Sequence, residues 1–410
     1  MALALDTTPR TLQPPPPPPL SKNQIAKREW KAKKKIEQRT DRLSQRFANL
    51  EAAQTLQAKL QINHKTRVAD SALYHSLPQQ TTVELFHPHP DNSLSILSQF
   101  ISRSSTYNEK YSAQELAIAF QVFKLSSSSS SSSKQALDVI VDVGAGNANL
   151  SCLLALIFDV PVICVEKDSN LLPELQSERR LPSPFHVSRH ESLIEDYKLP
   201  PTYSNAIVIG KHLCGAGTDA GIDFCSSQRQ QILGCVWCTC CCCKITEDYG
   251  SKLFEKLHGL DEIGDHESLV ASARTTNWRT VNVDEFVEEK NLKEKMVVEA
   301  GYSESWIQGF RRRKLSEIFG WCQEVIYCSN ELHSQQNRCI VSGRGRGRER
   351  ERERGRGRSE EMEGLRSSFF ELLDERIRIL EEGGVIPLDL VARNLAEKRV
   401  EFDRQIDTVV

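Results

Sequence analysis

Val139-Ile140-Val141-Asp142-Val143-Gly144-Ala145-Gly146-Asn147-Ala148-Asn149-Leu150 is the run whose reading decides the fold. Four β-branched residues broken only by Asp142 give the apolar pattern of a buried parallel strand. Gly144 and Gly146 supply a tight turn, and Leu150 to Phe158 have the apolar density of a helix packed on that strand. Pro161-Val162-Ile163-Cys164-Val165-Glu166 then reads as a second buried strand ending in an acid. The predicted unit is β-α-β, whose turn lets backbone N–H groups and a helix N-terminus approach a ligand.

Two ligand classes suit such a unit, a nicotinamide or flavin dinucleotide and S-adenosylmethionine. A dinucleotide fingerprint wants Gly or Ala where this chain has Asn149, which is too large for close helix-strand packing. Asp142, two residues before the first glycine, suits a ligand carrying a sulfonium and an ammonium group. Glu166, twenty positions past Gly146, stands where a carboxylate takes ribose hydroxyls. The expected cofactor is S-adenosylmethionine, with Asp142, Gly144, Gly146 and Glu166 at its site.

The strand pattern continues beyond the unit. A helical piece is expected over Leu171 to Arg179, and Pro184 to Ser188 reads as a short third strand followed by Arg189-His190-Glu191-Ser192. Glu191 faces adenine in this architecture or is a surface charge; both readings stay open. Asn205 to Gly210 is a fourth strand, and Lys211-His212-Leu213-Cys214-Gly215-Ala216-Gly217-Thr218-Asp219 follows it. At this edge substrate meets cofactor, so Lys211 and His212 are the candidates for proton removal or acceptor positioning. The structural alternative pairs Lys211 with an acid such as Asp219 and ties His212 to backbone. Ile232 to Cys238 is a fifth strand. The fold class is therefore α/β, a class I Rossmann-like methyltransferase with helical and disordered flanks.

Composition limits the rest. Of 410 residues 39% are hydrophobic, too few for a chain globular throughout, and the net charge of -2 hides segregated charge blocks. No apolar run approaches the roughly 20 residues of a membrane span, and no signal-peptide core follows the N-terminus. All 13 cysteines lie between Cys152 and Cys339, which is no disulfide framework. The expected location is cytoplasm, nucleus or both, without a membrane partner.

Residues 1–20, with Pro14 to Pro19, read as a disordered tail, and 21–90 as a basic helical region carrying Lys22, Lys27, Arg28, Lys31, Lys33, Lys34 and Lys35. That basic face is either solvated or meets an acidic polymer. The methyltransferase domain is expected over 93–342, with helices at Ser93 to Ser102 and Ser112 to Phe123 and a flexible serine insertion at 126–133. Residues 343–358 alternate Arg, Gly and Glu as a linker able to hold RNA without sequence preference. From 359 to 410 a separate helical extension is expected, with Leu365, Phe369, Leu372, Leu373, Ile377 and Leu380 on one face and a second helix over Pro387 to Val400, suited to a protein partner.

Lys211-His212-Leu213-Cys214-Gly215 with Thr218-Asp219 resembles the signature of the eukaryotic tRNA acceptor-stem 2'-O-methyltransferases, residue for residue. The family's Thr-Cys-Cys-His-His block is similar to Thr239-Cys240-Cys241-Cys242-Cys243, with cysteines in place of both histidines. Tyr249-Gly250 with Lys252 and Phe254, Asn277-Trp278, and the segments Glu324 to Cys328 and Ser334 to Val341 echo later family elements, the last two a closing antiparallel hairpin. Arg311-Arg312-Arg313-Lys314 starts a helix toward Trp321 in this reading. The resemblance implies transfer of a methyl group to a ribose 2'-oxygen, with tRNA as partner. Besides the two replaced histidines it departs in a further respect: the family's N-terminal zinc modules have no counterpart, since no cysteine precedes Cys152. Either the basic helix docks RNA, or the substrate is another one; a catalytically inactive RNA- or protein-binding scaffold is the third reading.

Cys235, Cys238 and Cys240 to Cys243 invite a zinc reading. Neighbouring residues on a strand point to opposite faces, so four adjacent thiols do not converge on one ion, and no metal is expected. Small apolar residues lining the cofactor side of the fifth strand are the simpler account.

Overall fold

The structure, a computed structural model, describes residues 30–31, 33–34, 82–83, 112–127, 136–168, 185–239, 242–246, 249–259, 266–276, 290–327, 338–344 and 358–383. The chain divides into two compact units, Met1–Ala48 and Asn49–Val410. In the first, the described residues are helical and Lys34 Nζ sits 5.0 Å from the Trp30 ring centroid.

In the second unit the strands are β1 Thr82–Val83, β2 Val139–Val143, β3 Val162–Glu166, β4 Val187–Glu191, β5 Ala206–Lys211, β6 Ile232–Cys238, β7 Trp321–Ile326 and β8 Arg338–Gly343. The helices are α1 Ser112–Ser127, α2 Asn149–Phe158, α3 Gly217–Ser227, α4 Tyr249–His258, α5 His266–Thr275, α6 Lys290–Phe319 and α7 Arg358–Glu382, with a 3₁₀ turn at Cys242–Lys244. The strands form one sheet in the order β1-β7-β8-β6-β5-β2-β3-β4. From β2 to β6 all pairings are parallel, and β8 is antiparallel to β6 and β7. The chain winds outward from β2 to β4, then returns to the other side of β2 for β5 and β6. The order reverses between β2 and β5, and in such sheets ligands bind outside the carboxyl ends of the strands at that point.

Side-chain alternation divides the core between the two faces of the sheet. Val139, Val141, Val143 and Val208 pack toward Ile222 and Phe224 of α3 and Leu315 and Phe319 of α6. Ile140, Ile207 and Ile209 pack toward α1, α2 and α7. The unit read from Val139 onward forms as expected, and so do β6 and the β7-β8 hairpin. β4 lies at Val187–Glu191, three residues later than its predicted position; its residues are all partly or fully exposed, so no apolar run marks it. α1 continues through Ser126 and Ser127, and Ser126 Oγ donates to the Phe123 carbonyl, so the serine run begins inside a helix. Arg311 lies well inside α6 and does not start it.

The separate C-terminal element is also corrected. The apolar face of α7 closes on the methyltransferase core: Phe369 is fully buried, with its ring centroid 5.5 Å from that of Phe120 and 5.4 Å from that of Phe123. Arg376 Nε donates to the Leu156 carbonyl at 2.9 Å and its Nη1 meets Asp159 Oδ2 at 3.2 Å, satisfying a carbonyl of the last turn of α2. This face is therefore occupied by the chain's own core. The expected helices at 93–102, 171–179 and 387–400 lie outside the described residues, as does most of the basic helix.

Candidate active site

The turn after β2 carries three left-handed residues: Gly144 at φ 70°, Gly146 at φ 51° and Ala148 at φ 59°. A Cβ on Gly144 would stand 2.6 Å from Leu213 Cδ2, so the loops after β2 and β5 pack against each other through the missing side chain. No heavy atom lies within 4 Å of a Cβ position at Gly146, where the bare backbone leaves room for a ligand. The Gly146 N–H donates to Glu166 Oε2 at 2.9 Å, and its carbonyl accepts from Arg189 Nη2 at 2.8 Å. Glu166 Oε1 accepts the Asp168 N–H at 3.1 Å, and Glu166 pairs in register with the exposed Glu191. Ala148, fully buried, holds the left-handed position where a third turn glycine would be unstrained.

These two glycines carry different burdens. Gly144→Ala combines left-handed strain with a clash, so it should lower the unfolding free energy by about 2–3 kcal/mol. Gly146→Ala meets no clash and should cost about 1 kcal/mol while placing a methyl on the open side of the turn. Denaturant titration and cofactor calorimetry on the two variants distinguish the effects.

Asp142 is 2% exposed, and its Oδ2 accepts a 2.6 Å hydrogen bond from Ser151 at the start of α2. Burial pushes its carboxyl up to about 7, against the Ser151 bond and the charge of Lys211, while Glu115 and Glu166 add to the rise. Lys211 ends β5, and its Nζ donates to Glu115 Oε1 of α1 at 2.5 Å, with side chains 14% and 6% exposed. The acid that Lys211 meets is thus Glu115, not Asp219. His212 stands at φ 61°, and its N–H donates to the Cys238 carbonyl. Burial, aided by the Lys211 charge, lowers its imidazole to about 4, so the ring is neutral at physiological pH. Asp142, Glu166, Lys211 and His212 thus stand at neighbouring strand ends around the switch point.

Residues 113–248 match the family model described as a methyltransferase domain. This chain carries a methyltransferase domain. Its cofactor is S-adenosylmethionine. Solved structures similar to the chain include the 23S rRNA methyltransferase ErmE, 17% identical over 40% of this chain and 55% of that one, with a TM-score of 0.23. The plantazolicin methyltransferase BpumL in complex with SAH is 9% identical over 61% of this chain and 95% of that one, with a TM-score of 0.30. The N-methyltransferase NodS from Bradyrhizobium japonicum is 12% identical over 36% of this chain and 72% of that one, with a TM-score of 0.24. The chain thus spans about half the length of the rRNA methyltransferase. No curated protein matches it.

The methyltransferase domain's own residues fit that cofactor. Glu166 is held at the end of β3 by two backbone N–H groups in a place suited to ribose hydroxyls, and the open side of Gly146 admits a ligand to the turn. Asp142 adds an acid whose ionised form a cationic ligand favours.

Several residues that build the site give no sequence signal. Arg311 of α6, 1% exposed, holds Asp219 through Nε–Oδ1 at 3.0 Å and Nη2–Oδ2 at 2.6 Å, and its Nη2 also donates to the Gly215 carbonyl at 2.9 Å. His258 Nε2 approaches Asp219 Oδ1 at 3.5 Å. Burial pushes the Asp219 carboxyl up, but the Arg311 charge and the bonds from His258 and Arg311 outweigh it and hold it below the usual carboxylate range. The Asp219 of the signature is thereby a structural pin for the loop. Glu115 and Arg189 are further contributors, each from an element remote in sequence from its partner, whereas Ser151 lies in the helix next after the strand of Asp142.

Among the described residues no group of three or more His, Cys, Asp and Glu side chains could hold a metal. Cys235 and Cys238 are buried in β6. Cys242, in the 3₁₀ turn, lies 3.5 Å from Arg311 Nη1, and burial raises its thiol to about 12 despite that cation. It is a protonated core thiol packed with Ile245 and Phe254. No described helix is long and apolar enough to cross a membrane.

Proposed function

We propose that the methyltransferase domain transfers a methyl group to a ribose 2'-oxygen in the acceptor stem of tRNA. The observation that carries this reading is the segment Lys211 to Asp219, whose residues resemble the family signature, with Lys211 ending β5 and His212 next to it beside the glycine turn. S-Adenosylmethionine supplies the methyl on a cationic sulfur that leaves as a neutral thioether. The chain then has to align the acceptor oxygen and relieve it of a proton. His212, neutral at physiological pH, can take that proton, and Lys211, ion-paired with Glu115, serves as a donor and not as a base. Glu166 binds ribose hydroxyls and Asp142 faces the cationic end; Glu191, exposed beside Glu166, borders the adenine. The basic residues near Lys31 and the Arg-Gly stretch of 343–358 offer charges for tRNA phosphates, and a tRNA substrate fits work in the cytoplasm or the nucleus. With the apolar face of α7 packed on the core, that face is not the docking site for a protein partner.

Mass spectrometry of tRNA nucleosides from cells with and without the gene tests the reading. Loss of one 2'-O-methylated nucleoside is the expected result; an unchanged tRNA profile overturns it. A different methyl acceptor is the second reading, favoured by Cys242 and Cys243 standing where the resembled family has its histidine pair. It gains if the purified protein binds S-adenosylmethionine while tRNA modification stays complete.

A further inference from the structure

α1 precedes the first strand of the doubly wound part of the sheet, and its first turn reaches the carboxyl edge. Glu115 in that turn meets Lys211 at the end of β5, while Leu125 packs near Gly234 at the start of β6, so the helix runs opposite to the strands. The Glu115–Lys211 pair joins residues 96 positions apart and is almost shut off from water. Burying two charges gives up their hydration, and apolar side chains of similar size hold a core as well, so packing does not call for this pair. Its place at the switch point, within the field of Asp142, is where methyl transfer needs an aligned donor. A second observation points to the same turn. Gln114 is fully buried, and neither its amide nitrogen nor its amide oxygen has a hydrogen-bond partner, a condition that an incoming polar group relieves.

We propose that the first turn of α1 is a wall of the transfer site, with Glu115 the positioning residue that aims Lys211 Nζ at the oxygen receiving the methyl. It rests on the reading of Lys211 given above. In the step, an oxygen lone pair forms the new O–C bond and the C–S electron pair returns to sulfur. The hydroxyl proton passes to the His212 imidazole. Glu115 accepts one of the Lys211 Nζ hydrogens and so fixes the direction in which the ammonium faces. Gln114, offering both a donor and an acceptor, borders the polar group that enters beside them.

The test uses the full chain, Glu115→Gln and Glu115→Asp, with two readouts. Calorimetry with S-adenosylmethionine should give a Kd within about threefold of wild type for Glu115→Gln, while methyl transfer to bulk tRNA from cells lacking the gene falls about 100-fold in kcat with the cofactor KM unchanged. Glu115→Asp should recover about a tenth or more of the wild-type rate. Acetylation mapped by mass spectrometry reads Lys211 directly: its labelling should rise about tenfold in Glu115→Gln, fall on adding S-adenosylmethionine to wild type, and leave the exposed Lys252 unchanged. Transfer at the wild-type rate by Glu115→Gln overturns the proposal, as does Lys211 labelling that ignores both the substitution and the cofactor. If the wild-type protein methylates no tRNA, the tRNA reading falls, and the labelling of Lys211 decides the role of Glu115 by itself.

Discussion

Replacing Arg311 with leucine is expected to lower the unfolding free energy by about 3–5 kcal/mol in denaturant titration, the largest loss of stability of any substitution considered. Arg311 and Asp219 are 1% and 0% exposed and share a two-pronged contact. Removing the guanidinium leaves the Asp219 carboxylate buried beside His258, whose imidazole burial holds below its usual range in the intact protein. Arg311→Lys should fail to rescue, because one ammonium does not reproduce the fork that also reaches the Gly215 carbonyl. The double variant Arg311→Leu, Asp219→Asn should regain part of the loss, since no net charge is then stranded in the core. The pH dependence follows from the direction of the shift. A carboxyl with a depressed folded pKa stabilises the fold above its unfolded value and loses that contribution as pH falls through the folded value, so this pair is felt as acid sensitivity below about pH 4. A double-mutant cycle that gives no coupling between positions 219 and 311 would refute the role of the pair.

What is legible in the sequence and what is not divides along contact distance. β2, α2, β3 and β6 announce themselves because each is a buried local run, and the glycine turn because left-handed backbone asks for glycine. β4 is misplaced because an edge strand with no fully buried residue has no periodic apolar signal. The face of α7 is plain in the spacing of Phe369, Leu373, Ile377 and Leu380, yet periodicity tells that a face is buried and not against what. Its partner is the Phe120 side of α1, more than two hundred residues earlier. The same limit hid Glu115 from Lys211 and Arg311 from Asp219, pairs separated by 96 and 92 positions. Asp142 and Glu166 were accessible because both lie within the one β-α-β unit whose geometry fixes them.

Asp142 should make cofactor binding a proton-linked event. Its folded carboxyl stands at about 7, and the groups facing it are Ser151 from α2, Lys211 from β5, Glu115 from α1 and Glu166 from β3. A cationic ligand prefers the carboxylate, so below about pH 7 binding must expel a proton. Affinity for S-adenosylmethionine should then rise roughly tenfold from pH 6 to pH 8 and level off above, with His212 adding nothing because its imidazole, at about 4, is already neutral there. Calorimetry in buffers of differing ionisation heat counts the released proton directly. Asp142→Asn should bind the cofactor more weakly and with no such slope. The same group acts with opposite sign on stability. A carboxyl whose folded pKa is raised binds more protons in the fold than in the open chain, so the fold weakens as pH climbs from about 4 to about 7, by an amount on the order of 4 kcal/mol at its limit. Asp142→Asn escapes that loss and should melt higher than wild type at pH 8 while binding less cofactor, the mark of a residue kept for its charge and not for its packing. Wild-type affinity that stays flat from pH 6 to pH 8 would mean that Asp142 is ionised before the cofactor arrives, and the acid would then be a fixed counter-charge to Lys211.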